Sequence, residues 1–70
     1  MNDAVGLWKV VDGKVVWAVP TTTTEAWRIG FEDGKLGEYR GRERHMTGTG
    51  AVSRAYDKGY VQGGKTSVRG

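Results

Sequence analysis

The sequence predicts an α+β fold: an N-terminal β-hairpin followed by two short helices packed through Ala-xxx-Gly-xxx-Gly stripes. Three observations lead there. Residues 6–19, GLWKVVDGKVVWAV, place two β-rich runs around Asp12-Gly13, a preferred two-residue turn. Residues 26–35, AWRIGFEDGK, and 55–64, AYDKGYVQGG, repeat one pattern of alanine, aromatic, two spacers, glycine, aromatic, two spacers and glycine. A chain of 70 residues has room for a single core, so these parts belong to one domain spanning 1–70.

In the hairpin, a turn at Asp12-Gly13 sets Val11 against Lys14, Val10 against Val15, Lys9 against Val16 and Trp8 against Trp17. Alternation then gathers Trp8, Val10, Val15, Trp17 and Val19 on one face, and leaves Leu7, Lys9, Val11, Lys14, Val16 and Ala18 on the other. A two-stranded hairpin is marginal in water, so the tryptophan face needs a cover, and the following helix is the expected one.

Pro20 ends the second strand. Thr22 and Glu25 have the spacing of a capping box, so a first helix is expected over 22–37, with Gly37 as its C-terminal cap. Residues 38–50, EYRGRERHMTGTG, read as a basic loop. A second helix is expected over 51–63, ended by Gly63-Gly64, with a frayed basic tail at 64–70. Glycine inside a helix costs about 0.5–1 kcal/mol relative to alanine, so the repeated glycines need a reason. At i, i+4 and i+8 they line one face and let a neighbouring backbone come close. Leucine at Gly30 or Gly59 is expected to unfold the protein, and alanine to be better tolerated. Trp8, Val10, Val15, Trp17, Trp27, Phe31, Val52, Tyr56 and Tyr60 are the expected core.

The net charge of +3 is unevenly spread: residues 1–35 carry −1 and residues 36–70 carry +4. A basic half joined to a near-neutral one favours an anionic partner. The chain contains no cysteine, which fits a reducing compartment and excludes disulfides and thiolate metal sites. No apolar run is long enough to span a membrane, and no signal-peptide pattern opens the chain. A cytoplasmic protein without membrane contact is the expectation.

Residues 24–64 carry a resemblance. Gly30-Phe31, Gly34 and Gly37 after Ala26, a second glycine-aromatic pair at Gly59-Tyr60, and a basic connection over 40–50 resemble ribosome modulation factor. The later glycines are shifted by one residue, and the hairpin lies outside the resemblance, where that family has a basic tail. The resemblance implies a small helical protein that contacts ribosomal RNA and silences translation.

The residues themselves point the same way. Arg40, Arg42, Arg44 and His45 can all donate to phosphate, arginine in bidentate fashion. Lys35, Arg54 and Lys58 extend this set, as do Lys65 and Arg69, and Tyr39 is a candidate for stacking on a base. Other chemistry is poorly supported. His45 is the sole histidine and has no thiolate to share a metal with. GYVQGGKT, residues 59–66, has the glycine, lysine and threonine spacing of a phosphate-binding loop, but no strand is expected before it, so nucleotide hydrolysis is not expected. No nucleophile-base pair appears, so no enzymatic activity and no cofactor are expected. The function expected is a basic RNA- or ribosome-binding module. The alternative is a phage-type or mobile-element inhibitor that adds its spare hairpin face or edge to a host protein with an acidic surface. A homodimer through that hairpin face is a third arrangement.

Overall fold

The computed structural model describes residues 7–66. It contains strands β1 (Trp8–Val11) and β2 (Lys14–Trp17), then helices α1 (Thr23–Leu36) and α2 (Ala51–Thr66). The α+β architecture, a hairpin followed by a helix pair, is the one the sequence predicts.

The hairpin has the expected register, with Trp8 opposite Trp17 and Val10 opposite Val15. Asp12 (φ 53°) and Gly13 (φ 76°) both take the left-handed conformation that a tight hairpin turn demands. The two tryptophan rings sit 6.4 Å apart at 58°.

Helix α1 starts where its cap residues dictate. Thr22 Oγ1 accepts from the Glu25 backbone N–H at 3.1 Å. The return bond is displaced by one residue from a capping box: Glu25 accepts from the Thr21 N–H (3.0 Å) and the Thr21 hydroxyl (3.2 Å). Those bonds, the backbone one foremost, hold the Glu25 carboxyl below its ordinary range. At the other end Gly37 (φ 73°) donates to Gly34 O, and Glu38 donates to Asp33 O. This pair of bonds is a Schellman cap.

The two helices run parallel. Gly30 of α1 abuts Tyr56 and Tyr60 of α2, and Gly34 abuts Tyr60 and Gly64. In return Gly59 abuts Trp27 and Phe31, and Gly63 abuts Phe31 and Lys35. A Cβ on any of these four glycines would overlap backbone atoms of the opposite helix, so the seam is a contact of main chains. That contact corrects two expectations. The second helix does not stop at Gly63-Gly64 but runs to Thr66, because Gly63 is buried against Phe31 and is part of the seam. The tolerance expected of alanine at Gly30 and Gly59 is also reduced, because its Cβ meets the same backbone atoms that leucine would.

Parallel helices require a connection that travels back along α1, roughly 20 Å for 14 residues. Residues 38–50 make that return journey as a folded segment. Its 41–46 portion closes with bonds from His45 N–H to Arg42 O and from Met46 N–H to Gly41 O, a second Schellman cap with His45 (φ 58°) in the glycine position. Met46 then joins Ala26 and Tyr56 in the buried apolar cluster, flanked by Ile29, Val52 and Ala55.

The core is therefore smaller than the sequence suggested. Of the nine residues expected there, Tyr56 is fully buried. Trp17, Phe31, Val52 and Tyr60 are half-buried. Trp8 (42%), Val10 (58%), Val15 (52%) and Trp27 (38%) are exposed. No backbone contact joins either strand to either helix, so the expected helical cover over the hairpin is absent. No helix among the described residues is long and apolar enough to cross a membrane.

Candidate nucleic-acid interface

The polar centre of the fold holds a residue that the sequence placed on the surface. Arg44 is fully buried, and Asp33 beside it is 3% exposed. The guanidinium donates to Asp33 through Nε (2.8 Å) and Nη2 (2.9 Å), a bidentate pair. Its Nη1 donates to the carbonyls of Leu7 (2.6 Å) and Ala18 (3.3 Å), the residues that close the open end of the hairpin. Arg44 therefore ties the hairpin to α1. Tyr56 of α2 joins the group by donating its hydroxyl to Asp33 Oδ2 at 2.5 Å and accepting the Arg40 N–H at 2.9 Å.

Burial first, and then the bond to Asp33, push the Tyr56 hydroxyl well above the ordinary phenol range. The folded state thus keeps a proton that the unfolded chain releases above about pH 10, and stability must fall as pH rises past that value. Tyr39 shares this direction, chiefly through burial and then through its bond to Asp57. Melting temperatures followed from about pH 9 to 11 should fall more steeply for the wild type than for Tyr56→Phe, with Tyr39 common to both. Parallel slopes would show that this hydroxyl carries none of the linkage.

The geometry divides the sequence-derived binding residues into three groups. Arg44 is a correction: its guanidinium is committed inside the fold and cannot hold a phosphate. Arg40 is partly withdrawn as well. Its guanidinium lies 4.4 Å from the Trp17 ring centre, with Glu38 and Glu43 at 3.6 and 3.8 Å. Tyr39 is half exposed, but its ring packs edge-on against Tyr56 and Tyr60 and its hydroxyl bonds Asp57 at 3.0 Å. Arg42 and His45 point outward from the return segment.

The third group, Lys35, Arg54 and Lys58, lies on the flank of the seam away from the return segment. Trp27 and Phe31 stack there along α1, 5.1 Å apart at 16°, and Lys35 caps Phe31 at 5.5 Å. Trp27 shares an open depression of about 420 Å3 with Arg54 and Lys58. Sequence reasoning placed Trp27 in the core and so missed this association. The signal was present in the 3.6-residue periodicity, which aligns Trp27 with Phe31 beside the glycines. Lys65 is exposed at the end of α2, and Arg69 lies outside the described residues. Among the described residues no group of three or more His, Cys, Asp or Glu side chains is placed to hold a metal ion.

No protein-family model matches the chain, and no curated protein or solved structure compared with it does so either.

Proposed function

We propose that this protein is a small RNA-binding module that works through surface cations rather than through catalysis. The observation that supports this reading is an imbalance in how its charges are used. Six of the seven described acidic side chains are bonded within the chain: Asp33 to Arg44, Glu25 to Thr21, Asp57 to Tyr39, Glu32 to Lys35, and Glu38 and Glu43 to Arg40. Arg42, Arg54 and Lys58 are exposed and have no ion-pair partner among the described residues. Outward cations over internally engaged carboxylates give a surface that attracts phosphate. The resemblance to ribosome modulation factor makes ribosomal RNA the first target to test.

A second reading has its own support. The hairpin exposes Trp8, Val10 and Val15 on one face, Val11 and Val16 on the other, and carries Lys9 and Lys14. An apolar, basic hairpin with free edges suits strand addition to a host protein with an acidic surface.

One experiment separates the two. Tagged protein should retain ribosomes or ribosomal RNA from a lysate, lose them after nuclease treatment, and bind purified RNA with an affinity that falls steeply with salt. Two or three phosphate contacts give a log-log slope of about −1.5 to −3. Absence of RNA binding, together with a stoichiometric protein partner that survives nuclease, would overturn the first reading in favour of the second.

A further inference from the structure

We propose that the open flank of the helix pair is a stacking site for a base of single-stranded nucleic acid, with Trp27 as the platform and Arg54 and Lys58 as the phosphate contacts. The proposal rests on the RNA-binding reading and assigns it a place on the molecule.

The seam between α1 and α2 has two flanks. The return segment fills one of them with Tyr39, Arg44 and Met46, packed against Asp33, Tyr56 and Ala26. The other flank has no described residue across it. Along α1 it presents Trp27, Phe31 and Lys35 at successive turns. Phe31 covers the side of Trp27 that faces the C-terminus of α1. The depression lined by Thr23 and Thr24 lies one turn towards the N-terminus and so adjoins the opposite side of the indole. A planar group entering it would extend the Phe31–Trp27 stack.

The remaining wall supplies charge. Arg54 and Lys58 stand one turn apart on α2 and both line the depression with Trp27. An aromatic plane with two cations beside it, and threonine hydroxyls at the edge, matches a nucleotide: a base to stack and a backbone to neutralise. Asp57 borders a second hollow with Trp27 and Lys58 while accepting the Tyr39 hydroxyl, and Glu25, next to Thr24, accepts from Thr21. A base inside a duplex cannot reach a platform of this kind, so the site selects unpaired strands.

The test is binding of a fluorescent 12-nucleotide oligo-U, the matching oligo-dT and a duplex of equal length. The full-length wild type is compared with Trp27→Ala, Trp27→Phe and Thr24→Glu. Thr24 is exposed in the first turn of α1, where a carboxylate suits the helix, so Thr24→Glu charges the depression without disturbing the fold. Trp27→Ala should weaken single-strand binding by about tenfold or more, Trp27→Phe by less, and Thr24→Glu by several-fold, with melting curves showing each variant folded. Oligo-U bound as tightly as oligo-dT or more tightly, with that binding lost in Trp27→Ala and weakened in Thr24→Glu, upholds the site. Preference for the duplex overturns it. Single-strand binding that Trp27→Ala and Thr24→Glu leave within twofold also overturns it, while the RNA-binding reading stands. Failure of the wild type to bind any of the three overturns both.

Discussion

Gly59→Ala should lower the melting temperature by about 10–15 °C or more, whereas Gly64→Ala should leave it unchanged or raise it. Both residues lie in α2, five positions apart, and both are small. Their surroundings differ. A Cβ at Gly59 would overlap the Trp27 carbonyl, with the Phe31 amide nitrogen close behind. At Gly64 the nearest atom beyond its own helix is the Gly34 carbonyl oxygen at 4.0 Å, ordinary contact. Forcing extra volume into a packed interface costs about 1–3 kcal/mol when side chains can yield. Here the obstacle is main chain held by helical hydrogen bonds, so the upper end applies. Alanine's better helix propensity returns at most about 1 kcal/mol. A net loss of about 2 kcal/mol is a large part of the stability of a domain this small. At Gly64 the propensity gain stands unopposed. Thermal unfolding of the two single variants beside the wild type decides the matter. Equal melting temperatures for both would mean that the helices do not meet through backbone at Gly59.

That contrast shows what the sequence made legible and what it hid. The hairpin was readable because Asp12-Gly13 admits few alternatives and fixes the register by itself. Both ends of α1 were readable because Thr22 and Gly37 satisfy orphan backbone groups in ways few residues can. The repeated glycine pattern told that two helices meet, but not in which direction. The parallel arrangement depends on a return segment whose fold comes from tertiary bonds, foremost those of Arg44. Composition alone marks an arginine between Glu43 and His45 as a surface cation. Nothing local distinguishes Arg44 from Arg42, since the difference is Asp33, eleven residues away. The misplaced core has the same origin. With the helix backbones nearly touching, the large side chains beside the seam have no interior to fill, and Trp27 is left at its rim. The candidate site was therefore half legible: Lys35, Arg54 and Lys58 as cations, but not the indole that Arg54 and Lys58 stand beside.

Arg44→Met should destabilise the protein by about 3–5 kcal/mol, enough to leave much of it unfolded at 25 °C. The cost does not measure how much the ion pair contributes. It arises because Asp33, 3% exposed, would keep only the Tyr56 hydroxyl as a described side-chain partner. Two hairpin carbonyls, of Leu7 and Ala18, would lose their donor at the same time. Asp33→Leu should be comparably damaging, because it strands the buried guanidinium. The double variant Arg44→Met, Asp33→Leu removes both charges and should recover a large share of the loss, with a coupling of about 2 kcal/mol or more in a double-mutant cycle. Arg44→Lys should resemble Arg44→Met, since an ammonium cannot serve Asp33 through two nitrogens and reach both carbonyls. Denaturant unfolding of the four variants gives the energies. Amide exchange in β1 and β2 gives the second readout, because Arg44 is what ties the hairpin to the helices; the double variant should regain the helices' protection before the hairpin's. A cost below about 1 kcal/mol for Arg44→Met is what an exposed, phosphate-gripping arginine would show, and it would return Arg44 to the surface.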